Sequence, residues 1–157
     1  MTVLTINDLK DQIDSKTSNF VLLTFATMGI YPLLWLYRNY LVIDKITKTK
    51  TADDVFIIAI AACLGFSWLF YCLGDETADI ISGVLNLAVM ILYIIWAFRA
   101  KKALEEYALN SYKIDLRMNG FHTFFFNVYY INYCINDLPN AKRKQQIISG
   151  EIENQQS

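Results

Sequence analysis

The sequence predicts an all-α integral membrane protein whose main element is a transmembrane helical hairpin. Two apolar runs, 55–73 and 80–98, each contain 19 residues without a charged side chain. At 1.5 Å per residue each run would extend about 28 Å as a helix, which is close to the thickness of the hydrocarbon core of a bilayer. Because only residues 74–79 join them, the two spans are expected to be antiparallel neighbours.

The composition agrees with one membrane domain. Of the 157 residues, 55% are hydrophobic and 15% are aromatic, which is high for a soluble domain of this size. The formal net charge is −1, so no overall basicity points to a nucleic-acid partner. We expect residues 1–149 to form a single membrane domain and residues 150–157 to be a disordered tail.

A third uncharged run, 20–37, does not predict a simple span. Gly29 and Pro32 interrupt it, and proline removes a backbone donor and restricts the residue before it. Non-helical backbone at membrane depth must be buried in protein or line water. The sequence therefore leaves two alternatives for an embedded segment over 20–41: a kinked span, or a re-entrant hairpin that turns near Gly29, which we favour.

A fourth apolar segment, 121–136, is dominated by aromatic residues. Its first 15 residues would extend about 22 Å as a helix, which is too short for a straight span, so we predict an interfacial or half-inserted helix. Its amides Asn127, Asn132 and Asn136 need partners where they are buried, and we expect them to bond the broken backbone over 29–32. Shorter helices are predicted on the cytoplasmic side at 5–14, 99–111 and 139–149.

Lysine and arginine residues are distributed unequally around the hairpin. The loop 74–79 contains three acidic residues and no basic residue, whereas the flanks 38–50 and 99–117 contain nine lysine or arginine residues. By the positive-inside rule, the loop faces the outside and both flanks face the cytoplasm. The basic cluster 142–144 places the C-terminus in the cytoplasm as well, and the side of the N-terminus depends on whether residues 20–37 span or re-enter.

A stripe of small and polar residues runs along the second span. It includes Ser82, Gly83 and Asn86, and Ala61 and Gly65 are the facing candidates on the first span. Small residues let membrane helices approach closely, and asparagine can hydrogen-bond across the contact. Two alternatives stay open: the stripe closes the hairpin within one chain, or it mediates self-association or lines water.

No constellation in the sequence predicts catalysis or metal binding. The one histidine, His122, is isolated, and no His, Cys, Asp or Glu cluster has the spacing of metal ligands. The three cysteines lie in apolar stretches, so we expect them to be apolar fillers rather than disulfide partners. We therefore expect no enzyme activity, no metal and no cofactor.

Two segments share a faint similarity at a single offset. The identical residues are a threonine, a phenylalanine and a tyrosine: Thr24, Phe25 and Tyr31 in the first segment, and Thr123, Phe124 and Tyr130 in the second. Three identities in so biased a composition are close to chance, so we do not expect a true repeat.

A motif lies across the broken run, within residues 22–38. Its positions are Thr27, Gly29, Ile30, Tyr31, Trp35, Tyr37 and Arg38. This pattern resembles that of a domain-of-unknown-function family of small bacterial integral-membrane proteins, and Pro32 is an addition to it. The resemblance implies a protein of the bacterial inner membrane, and it implies no activity.

These features favour a non-enzymatic interaction, scaffold or regulatory subunit that self-associates in the membrane. Its partners would be the lipid bilayer, further copies of itself, and a cytoplasmic or membrane protein. The alternative is an oligomeric pore or transporter-like protein in which Asn86 and the broken segment 20–37 line a water path. Two full spans cannot enclose such a path alone, so this alternative requires an oligomer.

Overall fold

The computed structural model of the chain describes residues 6–148, and every regular element in this range is an α-helix. The predicted tail over 150–157 lies outside the described residues. The six helices in chain order are α1 (Ile6–Ile13), α2 (Thr17–Ala26), α3 (Tyr31–Thr47), α4 (Asp54–Leu73), α5 (Glu76–Tyr112) and α6 (Gly120–Ile148).

The predicted helical hairpin is confirmed by α4 and α5, which are both long and apolar enough to cross a membrane. Only Gly74 and Asp75 separate them, so the connection is shorter than predicted. Gly74 adopts a left-handed conformation with φ 71°, and the Asp75 side chain accepts a hydrogen bond from the Ala78 N–H at 2.9 Å. This cap lets α5 begin immediately after the turn.

Helix α5 continues for 37 residues, or about 55 Å. The prediction of a separate helix over 99–111 is therefore wrong. The physical reason is that no glycine or proline occurs between Gly83 and the end of α5, while lysine and glutamate propagate a helix well. Two i,i+4 ion pairs form on this extension: Lys101–Glu105 at 3.7 Å and Lys102–Glu106 at 3.8 Å.

The second half of α5 is the central element of the packed core. Helices α3, α4 and α6 all pack against α5, and alanines on it leave room for these neighbours. The Trp96 ring lies edge-on to the Trp35 ring, with centroids 6.2 Å apart. The α5 side chains with no exposed surface are Trp96, Ala97, Ala100, Ala103, Leu104 and Ala108. We call this part of α5, residues 96–108, and the helices packed around it the base.

The rest of the hairpin, residues 61–73 of α4 and 76–90 of α5, is called the arm. In the most apolar 18-residue stretch of each helix, only 17% of α4 and 28% of α5 is buried. A core helix of a soluble protein would be mostly buried, so this exposed apolar surface indicates a membrane location.

The broken run forms two helices, with the break over 27–30. Met28 and Gly29 have positive φ angles of 51° and 89°, whereas Pro32 lies in the first turn of α3, where a missing N–H is tolerated. The rings of Phe20 and Trp35 lie 5.2 Å apart, although a straight helix would separate two such positions by about 22 Å. Helices α2 and α3 therefore form a hairpin of their own.

Helix α6 breaks at a different place from the predicted one. We expected a new helix to begin near Pro139, but α6 passes through Pro139, and the non-helical residue is Asn127, with φ 29° and ψ −108°. Ile131, Ile135 and Leu138 are buried along one face and pack the part of the helix that leads into the proline. The break separates an exposed aromatic segment, 120–126, from a well-packed helix.

The two broken segments break at corresponding positions. Met28 and Asn127, the positive-φ residues, are separated by the same offset as the sequence identities noted above. Thr24 and Thr123 each donate a side-chain hydrogen bond to the carbonyl four residues earlier, at 2.9 Å. The breaks otherwise differ, because Gly29 also has a positive φ and the chain reverses there, whereas α6 continues beyond Asn127.

Candidate functional site

The α2–α3 turn lies beside the middle of α4. Thr27 and Gly29 line a groove of about 570 Å³ together with Ala61 and Gly65, and we call it the turn groove. Leu64, which also lines it, is the eleventh of the 20 residues of α4. The turn therefore reaches about 15 Å along α4 from its first residue, and it brings the broken-segment motif next to the small residues of the first span.

Residues of the turn itself satisfy its broken backbone. The Tyr31 N–H donates to the Thr27 hydroxyl at 2.9 Å, and that hydroxyl donates to the Leu23 carbonyl at 2.8 Å. The Gly29 N–H donates to the Thr24 carbonyl at 2.9 Å. Thr27 thus acts as the cap of α3, which explains a polar side chain at this depth.

The amides of α6 bond a different segment from the one predicted. The Asn132 side chain has no exposed surface, and its Nδ2 donates to the Thr17 hydroxyl at 3.3 Å. Asn136 Nδ2 donates to the Ser15 carbonyl at 2.8 Å. The expectation that these amides bond residues 29–32 is wrong, because the turn is already satisfied by Thr27 and the amides lie level with the link between α1 and α2.

Asn127 does not share the role of the other two amides. Its Oδ1 accepts a hydrogen bond from the Val128 N–H at 2.5 Å. This local bond occurs at the break, where asparagine tolerates a positive φ better than most residues do. Asn127 therefore marks a bend in α6, while Asn132 and Asn136 fasten α6 to the α1–α2 link.

Ser67 and Ser82 join the two helices of the arm. Both side chains are buried, their hydroxyl oxygens are 3.1 Å apart, and Ser67 Oγ also lies 3.3 Å from the Ser82 carbonyl. Ser82 is one of the predicted interface residues, and Ser67 is not among them. A sequence signal exists, because each serine lies seven residues from the two-residue turn at Gly74 and Asp75.

The other residues of the predicted stripe lie on exposed faces. Ala61, Gly65, Gly83 and Asn86 are all exposed, and a Cβ atom added to Gly65 or Gly83 would meet nothing within 4 Å. These residues therefore do not bring the two helices of one chain together. Of the predicted stripe, only Ser82 contributes to hairpin closure, through its contact with Ser67, and self-association or a water lining stays a prediction for the rest.

Asn86 combines exposure with the absence of a partner. It is the eleventh residue of α5, about 15 Å from the start of the helix. Among residues 7–148 it makes no hydrogen bond. It borders a second groove, of about 520 Å³, which also contains Gly29 and Ser82. A side-chain amide thus faces the zone where lipid would surround the arm.

Other polar and sulfur groups are not gathered into a reactive site. Over the described part of the chain, no three His, Cys, Asp or Glu side chains could hold a metal ion together. Cys63, Cys72 and Cys134 are free thiols. The His122 ring stacks on Tyr130, with centroids 5.5 Å apart.

The described residues form an all-helical structure in which two helices are long and apolar enough to cross a membrane, and a second helical hairpin ends beside the middle of the first of them. Residues 15–106 match DUF4234, a domain of unknown function. This match covers more than half of the chain, so the chain belongs to that family, which is consistent with the predicted resemblance to a domain-of-unknown-function family. Neither a curated protein nor a solved structure matches the chain.

Proposed function

We propose that this protein is a non-enzymatic scaffold or regulatory subunit that self-associates in the membrane through the arm. The observation that carries the proposal is Asn86, an exposed amide at mid-span that has no hydrogen-bond partner within residues 7–148. An unpaired amide in hydrocarbon is costly, whereas the amide of a second copy can both donate to it and accept from it. Self-association would supply this partner.

We also propose a topology in the bacterial inner membrane. Loop 74–79 lies outside, the C-terminus is cytoplasmic, and α2–α3 is a re-entrant hairpin entering from the cytoplasmic side. Two features support re-entry: the turn reaches only halfway along α4, and the Tyr40 hydroxyl, in the second half of α3, hydrogen-bonds Asp54 at the start of α4. Both ends of the α2–α3 hairpin therefore lie on the side where α4 begins.

The topology is tested by thiol labelling in a chain without its native cysteines. A membrane-impermeant reagent added from outside is expected to label Glu76→Cys in the loop and not Lys16→Cys, next to α2. Labelling of Lys16→Cys from outside would show that residues 20–37 span the membrane. Labelling of Glu76→Cys only from the cytoplasm would invert the orientation.

Self-association is tested by the mass of the detergent-solubilised particle and by cross-linking in membranes. Asn86→Leu is expected to shift the particle to the monomer, and Asn86→Gln, which keeps an amide, is expected to retain part of the oligomer. Met90→Leu, an apolar change at an exposed position one turn away, is the matched control. A wild-type chain that is monomeric in both assays would refute the proposal.

A pore or transporter-like function is the second candidate. It is favoured by one observation, namely that Asn86, Ser82 and the Gly29 turn border the same groove. In an oligomer such grooves could line a water path. Ion flux into liposomes that is lost on Asn86→Leu would favour this candidate, whereas an oligomer without flux would leave the scaffold function.

A further inference from the structure

A cavity of about 400 Å³ lies between the α1–α2 link and one face of α3, away from the arm and the turn groove. Since a water molecule occupies about 30 Å³ in the liquid, this volume accommodates roughly a dozen non-hydrogen atoms. The lining residues that matter for its chemistry are Asp14, Ser15, Tyr31, Trp35, Arg38 and Asn39. Three of these, Tyr31, Trp35 and Arg38, belong to the motif at 27–38.

Trp35 closes the inner wall of the cavity. Its side chain is 3% exposed, and its indole N–H has almost no accessible surface, so a molecule in the cavity does not reach this donor. Asn39, also buried, donates from its Nδ2 to the Trp35 carbonyl at 2.8 Å. Trp35 therefore shapes the cavity, and the chemistry of the cavity depends on its other lining residues.

The cavity is lined by one cation and one anion. Arg38 and Asp14 both line it, and neither is in an ion pair within the described residues. Arginine is suited to binding phosphate or carboxylate through two parallel hydrogen bonds, and a carboxylate is suited to binding an ammonium group. The charges therefore favour a molecule that carries one group of each sign.

The walls of the cavity are fixed in place before any ligand binds. The Asn136 and Asn132 bonds to Ser15 and Thr17, described above, fasten the α1–α2 link to α6. On the opposite wall, the Trp35 ring stacks on Phe20. Preorganised walls of this kind are typical of binding sites, because less ordering is required on binding.

The position of the cavity indicates where its ligand comes from. Leu34 and Tyr37, which also line it, are largely exposed apolar and aromatic side chains, and Arg38 is the first charged residue after the embedded run. The opening thus lies where an apolar surface meets a polar one, which in the proposed topology is the cytoplasmic headgroup region.

We propose that this cavity binds a phosphoethanolamine group, with Arg38 contacting the phosphate and Asp14 contacting the ammonium. Two kinds of molecule carry this group: an ethanolamine phospholipid, in its headgroup, and free phosphoethanolamine. The site is independent of Asn86, so its failure would not affect self-association.

Two experiments test the proposal. In the first, the full-length protein in detergent is titrated with free phosphoethanolamine. In the second, native mass spectrometry compares the lipid that the protein retains from nanodiscs of ethanolamine, choline or glycerol phospholipid. Saturable binding of the free molecule, or selective retention of the ethanolamine lipid, supports the proposal and identifies the source. The proposal would be overturned if the titration showed no saturable binding and the protein retained all three lipids equally.

Variants separate the proposed contacts from the fold. Arg38→Gln and Asp14→Asn, both at exposed positions, are expected to weaken binding about tenfold each. Trp35→Phe keeps a ring to stack on Phe20 and is expected to leave binding unchanged, because the indole N–H does not reach the ligand. Arg117→Gln and Trp68→Phe, which lie outside the cavity, are the matched controls. Binding that is unchanged by both charge variants, or equal for inorganic phosphate and phosphoethanolamine, would refute the assignment.

Discussion

The arm and the base share one helix, α5, and differ in almost everything else. In the arm, apolar side chains of α5 point outward and one pair of serines joins the two helices. In the base, alanines and Trp96 of the same helix are completely buried, while Lys102 and Glu106 are exposed. Along one unbroken helix, the apolar side chains of α5 are therefore exposed in the arm and buried in the base.

The difference shows which forces can hold each region together. Between helices surrounded by lipid there is no hydrophobic driving force, so the arm depends on its short turn, close packing and the serine pair. The base buries apolar surface under a charged exterior, as a water-facing domain does. We therefore expect the stability of this protein to lie in the base, and the arm to be free to make contacts with other chains.

Replacing a tryptophan in each region is expected to give the largest difference in the free energy of unfolding between the base and the arm. Trp96→Ala removes a side chain with no exposed surface and is expected to lower the free energy of unfolding by about 3–5 kcal/mol. Trp68→Ala, at 49% exposure on the arm, is expected to lower it by about 0.5 kcal/mol. Circular dichroism during SDS titration measures both. Equal losses would show that the arm is packed as tightly as the base.

Adding volume gives a second contrast between the regions. Ala100 is completely buried where other helices contact α5, so Ala100→Leu is expected to cost about 1–3 kcal/mol through overpacking. Ala62→Leu, at an exposed position of α4, is the matched control and is expected to change stability little. A well-tolerated Ala100→Leu would mean that the neighbouring helices can move apart, and the base would then not be rigid.

The arm could be predicted from the sequence more fully than the base. Its helices are predicted by two uncharged runs that are long enough to cross a bilayer. The break near Gly29 is predicted because glycine readily adopts a positive φ. The end of α5 was misplaced because Arg99 begins a charged stretch, and charge marks the edge of a membrane rather than the end of a helix. Glycine and proline interrupt helices, and neither occurs between Gly83 and Tyr112.

The candidate site could be predicted only where it depends on local chemistry. Asn86 was identified because a deep amide in an apolar run is unusual, and Thr27 because it belongs to a motif. The cavity beside Trp35 could not be predicted, because its outer wall is held by the bond between Asn136 and Ser15, residues 121 positions apart in the chain. No periodicity indicates a contact between two such distant residues.

Removing a buried amide of the base tests that long-range attachment. Asn132→Leu deletes the bond to Thr17 and is expected to destabilise the fold by about 1–3 kcal/mol, because Thr17 then loses a partner at the entry to α2. Asn110→Leu, at an exposed position of α5, is the control. The melting temperatures of both variants are compared with wild type. An unchanged melting profile for Asn132→Leu would show that the α1–α2 link is held mainly by apolar packing.

The smallest expected effect lies at the boundary between the regions, where Asp53 caps α4. Its carboxylate accepts a hydrogen bond from the Phe56 N–H at 2.9 Å, and this bond, with help from Lys50, holds the pKa of Asp53 below its usual 3.8. A carboxyl group with a lowered pKa in the folded state stabilises the fold above its unfolded pKa, and this stabilisation disappears as the pH falls through the folded pKa. Asp53→Asn keeps a capping side chain but cannot ionise.

The stability difference between wild type and Asp53→Asn is therefore expected to be constant from about pH 7 to about pH 5 and to shrink below about pH 4. Thermal unfolding across this range measures it, and Lys50→Gln is expected to reduce the difference only in part, because the backbone bond is the larger cause of the shift. A difference that persists unchanged at low pH would mean that the cap acts through geometry alone. The start of α4 would then be held by the Tyr40–Asp54 bond to the base rather than by the charge of Asp53.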